Sequence, residues 1–153
     1  MRKPFMLWVL IIVLILLSLG GFSGGIPMLA DPDSGGYLQF AELLPLLPVS
    51  NFILPGLFLL GFMGLFPLLL VYGLIARPTW PWVDKLFSWS GHYWAWTAII
   101  FLVAGIAIWL GYEGWLVGWW PITKITAAQG GLILLIALIP NVRMFYREQR
   151  GIR

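Results

Sequence analysis

The sequence predicts an all-α membrane protein of four transmembrane helices, and three observations carry that prediction. Hydrophobic residues make up 61% of the 153-residue chain and charged residues only 10%, against roughly a quarter charged in soluble domains. A globule of this size exposes too much of its own surface to hide such a composition from water. The apolar residues also gather into four runs, each near the ~20 residues that cross ~30 Å of hydrocarbon. Finally, the basic residues fall almost wholly on one side of those runs. Cysteine is absent, which excludes disulfides, thiolate metal sites and thiol redox chemistry.

The first span, 5–22, follows Arg2 and Lys3 and carries no further charge. It exceeds the apolar core of a signal peptide, and Met28-Leu29-Ala30 is a poor small-x-small cleavage site, so it reads as an uncleaved anchor. An outer loop, 24–51, comes next. Its first half is rich in Gly, Pro and Asp; its second half, Tyr37 to Val49, is too apolar for water and reads as a short interfacial or re-entrant element lying on the outer leaflet or capping the bundle, with Leu43 and Leu46 buried if it caps the bundle. The second span, 52–76, contains Pro67, which removes a backbone donor and should kink the helix midway. A cytoplasmic loop, 77–91, leads to the third span, 93–116. A tight turn joins this to the fourth, 122–140, and a basic cytoplasmic tail, 141–153, closes the chain.

Lys and Arg near span ends stay on the cytoplasmic side. Arg2, Lys3, Arg77, Lys85, Arg143, Arg147, Arg150 and Arg153 share one side, and Lys124 alone among basic residues lies opposite with Asp31, Asp33, Glu42 and Glu113. Both termini are therefore expected in the cytoplasm. Tryptophan, which favours the headgroup level, agrees: Trp80, Trp82, Trp89 and Trp94 gather at the inner end, Trp115, Trp119 and Trp120 at the outer. The scatter of basic residues along span flanks excludes a nucleic-acid footprint.

In lipid, small residues mark faces where helix backbones approach closely. Thr97, Ala104 and Gly111 recur every seven residues in the third span, with Ala98 and Gly105 beside them, while Ile99, Phe101, Leu102 and Ile106 point elsewhere. Ala127, Gly130 and Gly131 offer a matching face on the fourth span, which predicts a tight hairpin. Gly20 with Gly24 and Gly21 with Gly25 give the first span a possible dimer face, and Gly56, Gly61 and Gly64 mark the second. No internal repeat is seen.

Candidate sites are few. Asp31, Asp33 and Glu42 occupy positions one, three and twelve of a calcium-loop spacing, with Gly36 at six. Gly35 at five and Pro32 at two break the pattern, and ordinary turn chemistry accounts for the segment. His92, the only histidine, stands where the third span begins; it offers one axial nitrogen to a haem or chlorin, and a solvated interfacial role is the simpler reading. Glu113 and Lys124 face the same outer end. Thr97, Thr126 and Gln129 are the polar side chains that could line a path through an oligomer. No ionisable group lies mid-span, and no nucleophile triad, H-E-x-x-H helix or phosphate loop is present. The sequence therefore predicts no enzyme, no cofactor and no bound metal.

Gly24-Gly25-Ile26-Pro27, Asp31-Pro32 with Ser34-Gly35, Phe52 with Pro55-Gly56, and Leu138-Ile139-Pro140-Asn141-Val142-Arg143 together resemble a family of uncharacterised small four-span bacterial membrane proteins. The likeness covers most of the chain. It implies four spans and a conspicuous first outer loop, and brings no activity, cofactor or site. Asp33 departs from the family pattern as an insertion between Pro32 and Ser34, which further weakens a calcium site.

The function expected is that of a non-catalytic accessory or structural subunit of a membrane complex, or a self-associating scaffold, in a bacterial inner membrane. Its partners would be lipids, other membrane subunits or copies of itself. The alternatives are a small oligomeric transporter or channel, and a protein that binds a lipid, quinone or pigment through His92 or the tryptophans.

Overall fold

The computed structural model describes residues 4–38 and 40–147; Arg2, Lys3, Arg150 and Arg153 of the charge argument lie outside them. Every regular element among the described residues is helical, and none is a strand. Four helices are long and apolar enough to cross a membrane: Phe5–Ala30, Ile53–Ala76, Trp94–Leu116 and Pro121–Leu138. We label the first α1. The second comprises α2 (Ile53–Phe58), a π-helical segment (Leu59–Leu65) and α3 (Phe66–Ala76). A short α4 (Pro81–Phe87) precedes α5 (Trp94–Leu116) and α6 (Pro121–Leu138), and α7 (Pro140–Phe145) follows.

The spans form a closed ring: α1 packs on the second span and on α6, the second span on α5, and α5 on α6. The α5–α6 hairpin is antiparallel, with Trp96 bonded to Ala137 near one end, Gly130 against Ile106 in the middle, and Thr123 bonded to Glu113 at the other. The core is large and aliphatic. Leu7, Leu10, Leu14 and Leu17, at helical spacing on α1, join Leu70, Leu74, Ile99, Leu102, Ile106 and Ile133 in one buried cluster.

This core corrects the predicted packing face of the third span. Ile99, Leu102, Ile106 and Leu110 are buried, whereas Ala104 and Gly111 are exposed and Gly105 is half-buried under the Phe62 ring. Thr97, at the start of that stripe, is covered by Ser90, whose hydroxyl pairs with its own, while Ala104 and Gly111 face outward. Large side chains in register with 3.6 residues per turn fill the interior instead. On α6, Gly130 is buried and Ala127 packs on the core's edge, but Gly131 is exposed with open space around it.

Close backbone approach occurs elsewhere, between α1 and the second span. A Cβ on Gly21 would lie 2.7 Å from the Met63 carbonyl oxygen, and one on Gly25 would lie 2.7 Å from the Leu60 nitrogen. Two glycines expected to serve a dimer are thus spent within the chain; Gly20 faces open space. The same packing explains why α1 runs to Ala30, eight residues past the expected end. Gly24, Gly25 and Pro27 argue locally for a loop, but Gly25 seats against Gly56, and Met28 and Leu29 close over Gly56, so tertiary contact overrides propensity.

The expected kink at Pro67 takes the form of the π-helical turn just upstream. Proline offers no N–H to the carbonyl four residues back, here Met63, and its ring clashes with it; widening Leu59–Leu65 to i→i+5 bonding relieves both. Phe66, Phe62 and Phe58 then stack in sequence, and Phe58 stacks on Trp109 of α5 at 4.3 Å between centroids.

The loop from Asp31 to Phe52 contains two 3₁₀ turns, Gly36–Leu38 and Ala41–Leu46. Phe52 is its buried anchor, 2% exposed, and its N–H donates to the Pro32 carbonyl at 2.8 Å. Tyr37 donates its hydroxyl to the Ser23 carbonyl, and Phe40 meets Trp120 edge to face. Leu43 is only half-buried and Leu46 is 52% exposed.

Candidate functional site

The most built-up polar region lies at the end of the bundle where α7 folds under the start of α5. Its construction begins with Pro140, which holds the preceding Ile139 in an extended conformation. That residue ends α6 and turns α7 back toward residues 90–93. Tyr93 donates its N–H to the Tyr146 carbonyl at 2.8 Å, and His92 pairs with Arg147 as an isolated antiparallel bridge. The Tyr146 hydroxyl donates to the Leu74 carbonyl at 2.8 Å, tying the tail to the second span. Arg77, in the left-handed conformation at the end of α3, donates to the Phe145 carbonyl at 2.9 Å and lies over the Phe145 ring at 4.1 Å. Burial pushes the Tyr146 phenol up to about 12.

His92 sits at the centre. Gly91, at φ 65°, turns the chain into it. The Nδ1 of His92 lies 2.8 Å from the Ser90 carbonyl, which can only accept, so Nδ1 carries the proton and Nε2 is left to accept from Arg143 Nε at 3.5 Å. The imidazole stacks on Trp96 at 4.3 Å between centroids. Trp96 is itself buried, donating to the Ala137 carbonyl at 2.9 Å. The Ser90 hydroxyl pairs with Thr97 Oγ1 at 2.8 Å.

Two cavities adjoin here and share Ser90, His92 and Arg143 as walls. One, about 430 Å³, extends toward Arg147 and Met144. The other, about 350 Å³, extends up α5 past Trp96, Ile100 and Phe101 to Ala104. No carboxylate lines either among the described residues.

The other sequence-predicted sites do not assemble. Asp31 accepts the Ser34 hydroxyl, which holds its carboxyl below the usual value, and among the described residues no three His, Asp or Glu side chains gather as a metal requires. The calcium-like spacing is a turn. Glu113 accepts from Thr123 Oγ1 at 3.0 Å. Thr126 donates to the Ile122 carbonyl of its own helix. With Ile106 opposite Gly130, Gln129 stands about 14 Å along the bundle from Thr97 at 1.5 Å per residue, so the proposed lining residues lie at different depths of the bundle. Trp94 is 3% exposed and stacked on Trp80, a core residue where an interfacial anchor was expected; Trp82, Trp89, Trp115 and Trp119 do project outward. Arg143 and Trp96 were not foreseen beside His92. The available signal was Pro140, three residues before Arg143, which forces the tail to turn.

Comparison with known protein families, with curated proteins and with solved structures gave no match to this chain.

Proposed function

We propose that this chain is a non-catalytic, multi-pass protein of a bacterial inner membrane, with both termini cytoplasmic, that serves as an accessory subunit by packing α5 against helices of a partner. One observation carries the reading. Ala107 and Gly111 stand four residues apart on the exposed face of α5, beside Ile108, which is 75% exposed. The bundle interior is already filled by larger side chains, so this small-x-x-x-small face serves no contact within the chain. In a bilayer such a face gains most from a second helix, because it lets backbones approach closely. The orientation is supported by charge: Arg77, Lys85, Arg143 and Arg147 lie toward the end built from the 77–93 segment and α7, while Lys124 lies toward the other.

Native extraction in mild detergents, with mass spectrometry of co-purifying chains, tests the assignment. A discrete hetero-complex is expected; a protein that runs alone as a monomer in several gentle detergents overturns it. The lipid-binding alternative is favoured by a separate observation, the joined cavities beside His92. Those cavities are a feature that subunit packing does not require.

A further inference from the structure

We infer that the joined cavities at His92 hold one anionic phospholipid, with its phosphate against Arg143 and Arg147 and an acyl chain laid along α5. The inference rests on the membrane setting proposed above but not on the accessory role.

Charge is the first argument. Two guanidinium groups and a histidine line the cavities, with no opposing carboxylate among the described residues, and a planar guanidinium matches phosphate oxygens with paired donors. Arg143 uses Nε toward His92, and among the described residues its terminal nitrogens carry no other hydrogen bond. His92 positions that arginine: with Nδ1 held by Ser90, its Nε2 turns the Arg143 side chain across the cavity mouth. Basic pockets between helices at the cytoplasmic face are suited to acidic headgroups.

Shape is the second. A free anion would fill only the cavity beside Arg147, whereas here that space continues into an apolar one walled by Trp96, Ile100, Phe101 and Ala104. These residues climb α5 for about 12 Å from Trp96 at 1.5 Å per residue, the direction an acyl chain takes away from its headgroup. Trp89, 71% exposed, stands at the mouth, where an indole favours the headgroup level. A charged mouth joined to an apolar groove fits an amphiphile better than phosphate alone.

The test uses the full chain, shown first to be membrane-integral by resistance to alkaline carbonate extraction, so that failure of the membrane setting is seen separately. The delipidated protein is titrated by native mass spectrometry with phosphatidylglycerol, phosphatidylcholine of the same chains, and glycerol phosphate. One phosphatidylglycerol should be retained in preference to phosphatidylcholine. Arg143→Gln and Arg147→Gln should each weaken it about fivefold, the scale of one basic residue at a lipid surface, while Lys85→Gln, outside the cavities, leaves it unchanged. Ala104→Trp should weaken the lipid by filling the groove. Arg143→Lys, which keeps the charge but not the fork, should fall between, and circular dichroism of each variant identifies any that has unfolded. Equal retention of the two lipids overturns the inference, as does an Arg143→Gln no worse than Lys85→Gln. Glycerol phosphate binding as tightly as phosphatidylglycerol would leave an anion site and remove the lipid.

Discussion

The Ser18 hydroxyl donates a 2.7 Å hydrogen bond to the Gly64 carbonyl, and both groups are buried between α1 and the π-helical turn of the second span. The bond depends on one feature of each helix. Pro67 forces the local widening that presents this backbone to α1, and Gly21, one turn on from Ser18, lets the two backbones come close enough to use it. A local defect in one helix thus becomes the point where two helices are fastened.

Gly21→Leu should therefore be the most damaging single change on α1, because its side chain would meet the Met63 and Gly64 backbone and no rotamer change can yield that space. A loss of about 3 kcal/mol or more is expected, at the upper end of ordinary overpacking. Ser18→Ala should cost about 0.6 to 1.7 kcal/mol, from the average to the largest value for hydrogen bonds between membrane helices. Gly20→Leu, which faces open space, should leave the folded chain unchanged. Unfolding by added denaturing detergent, followed by circular dichroism, ranks the three; Gly20→Leu matching Gly21→Leu would refute the assigned contact.

Tyr146 gives the fold an alkaline limit. Its phenol is pushed up to about 12 by burial, so the native state favours the neutral form relative to an unfolded chain titrating near 10. Stability from this group is intact below pH ~10 and is lost as pH rises from there through about 12. Tyr146→Phe should lose about 1 kcal/mol at neutral pH with the hydrogen bond to Leu74, and show a shallower alkaline decline than the parent. Parallel declines in the two proteins would assign the limit to another group.

In the 31–52 loop, Phe52 rather than the leucines holds the segment to the bundle. Phe52→Ala should cost about 3 to 5 kcal/mol, as for other buried aromatics. Replacing Leu43 and Leu46 together with serine should cost the isolated bundle well under the 3 to 5 kcal/mol that full burial of both would imply, since Leu46 is 52% exposed. Limited proteolysis in detergent should cut the loop faster in the Phe52 variant than in the serine pair; the reverse order would mean that the leucines are the anchor.

The number and approximate place of the spans were legible because apolar runs of membrane length depend only on local composition. What faced what was not. Glycine and alanine at regular spacing look alike whether they admit a neighbouring backbone, as Gly21 does, or face outward, as Gly111 does, and only the partner's side chains decide. The end of α1 was misplaced for the same reason, since Gly25 is a loop former until Gly56 packs against it and Met28 and Leu29 close over Gly56. The cluster at His92 was half visible: the histidine and the basic tail could be read, but their meeting depends on the break at Ile139 and the return of α7.

The outward small residues of α5 give the accessory role its sharpest consequence. Ala107→Phe and Gly111→Phe place large side chains where the chain itself has no contact to lose, so each variant should fold as stably as the parent, within about 0.5 kcal/mol as is usual for exposed sites. A helix seated on that face would be displaced. Co-purifying partners should then be lost from both variants and kept in Ile122→Phe, an exposed position on α6 that enlarges a large residue and opens no small-residue face. Retention of the same complex by all three, with unchanged stoichiometry, would show that partners dock elsewhere. Loss from Ile122→Phe as well would point to α6 as part of the contact, and would move the interface from one helix face to the outer surface of the whole hairpin.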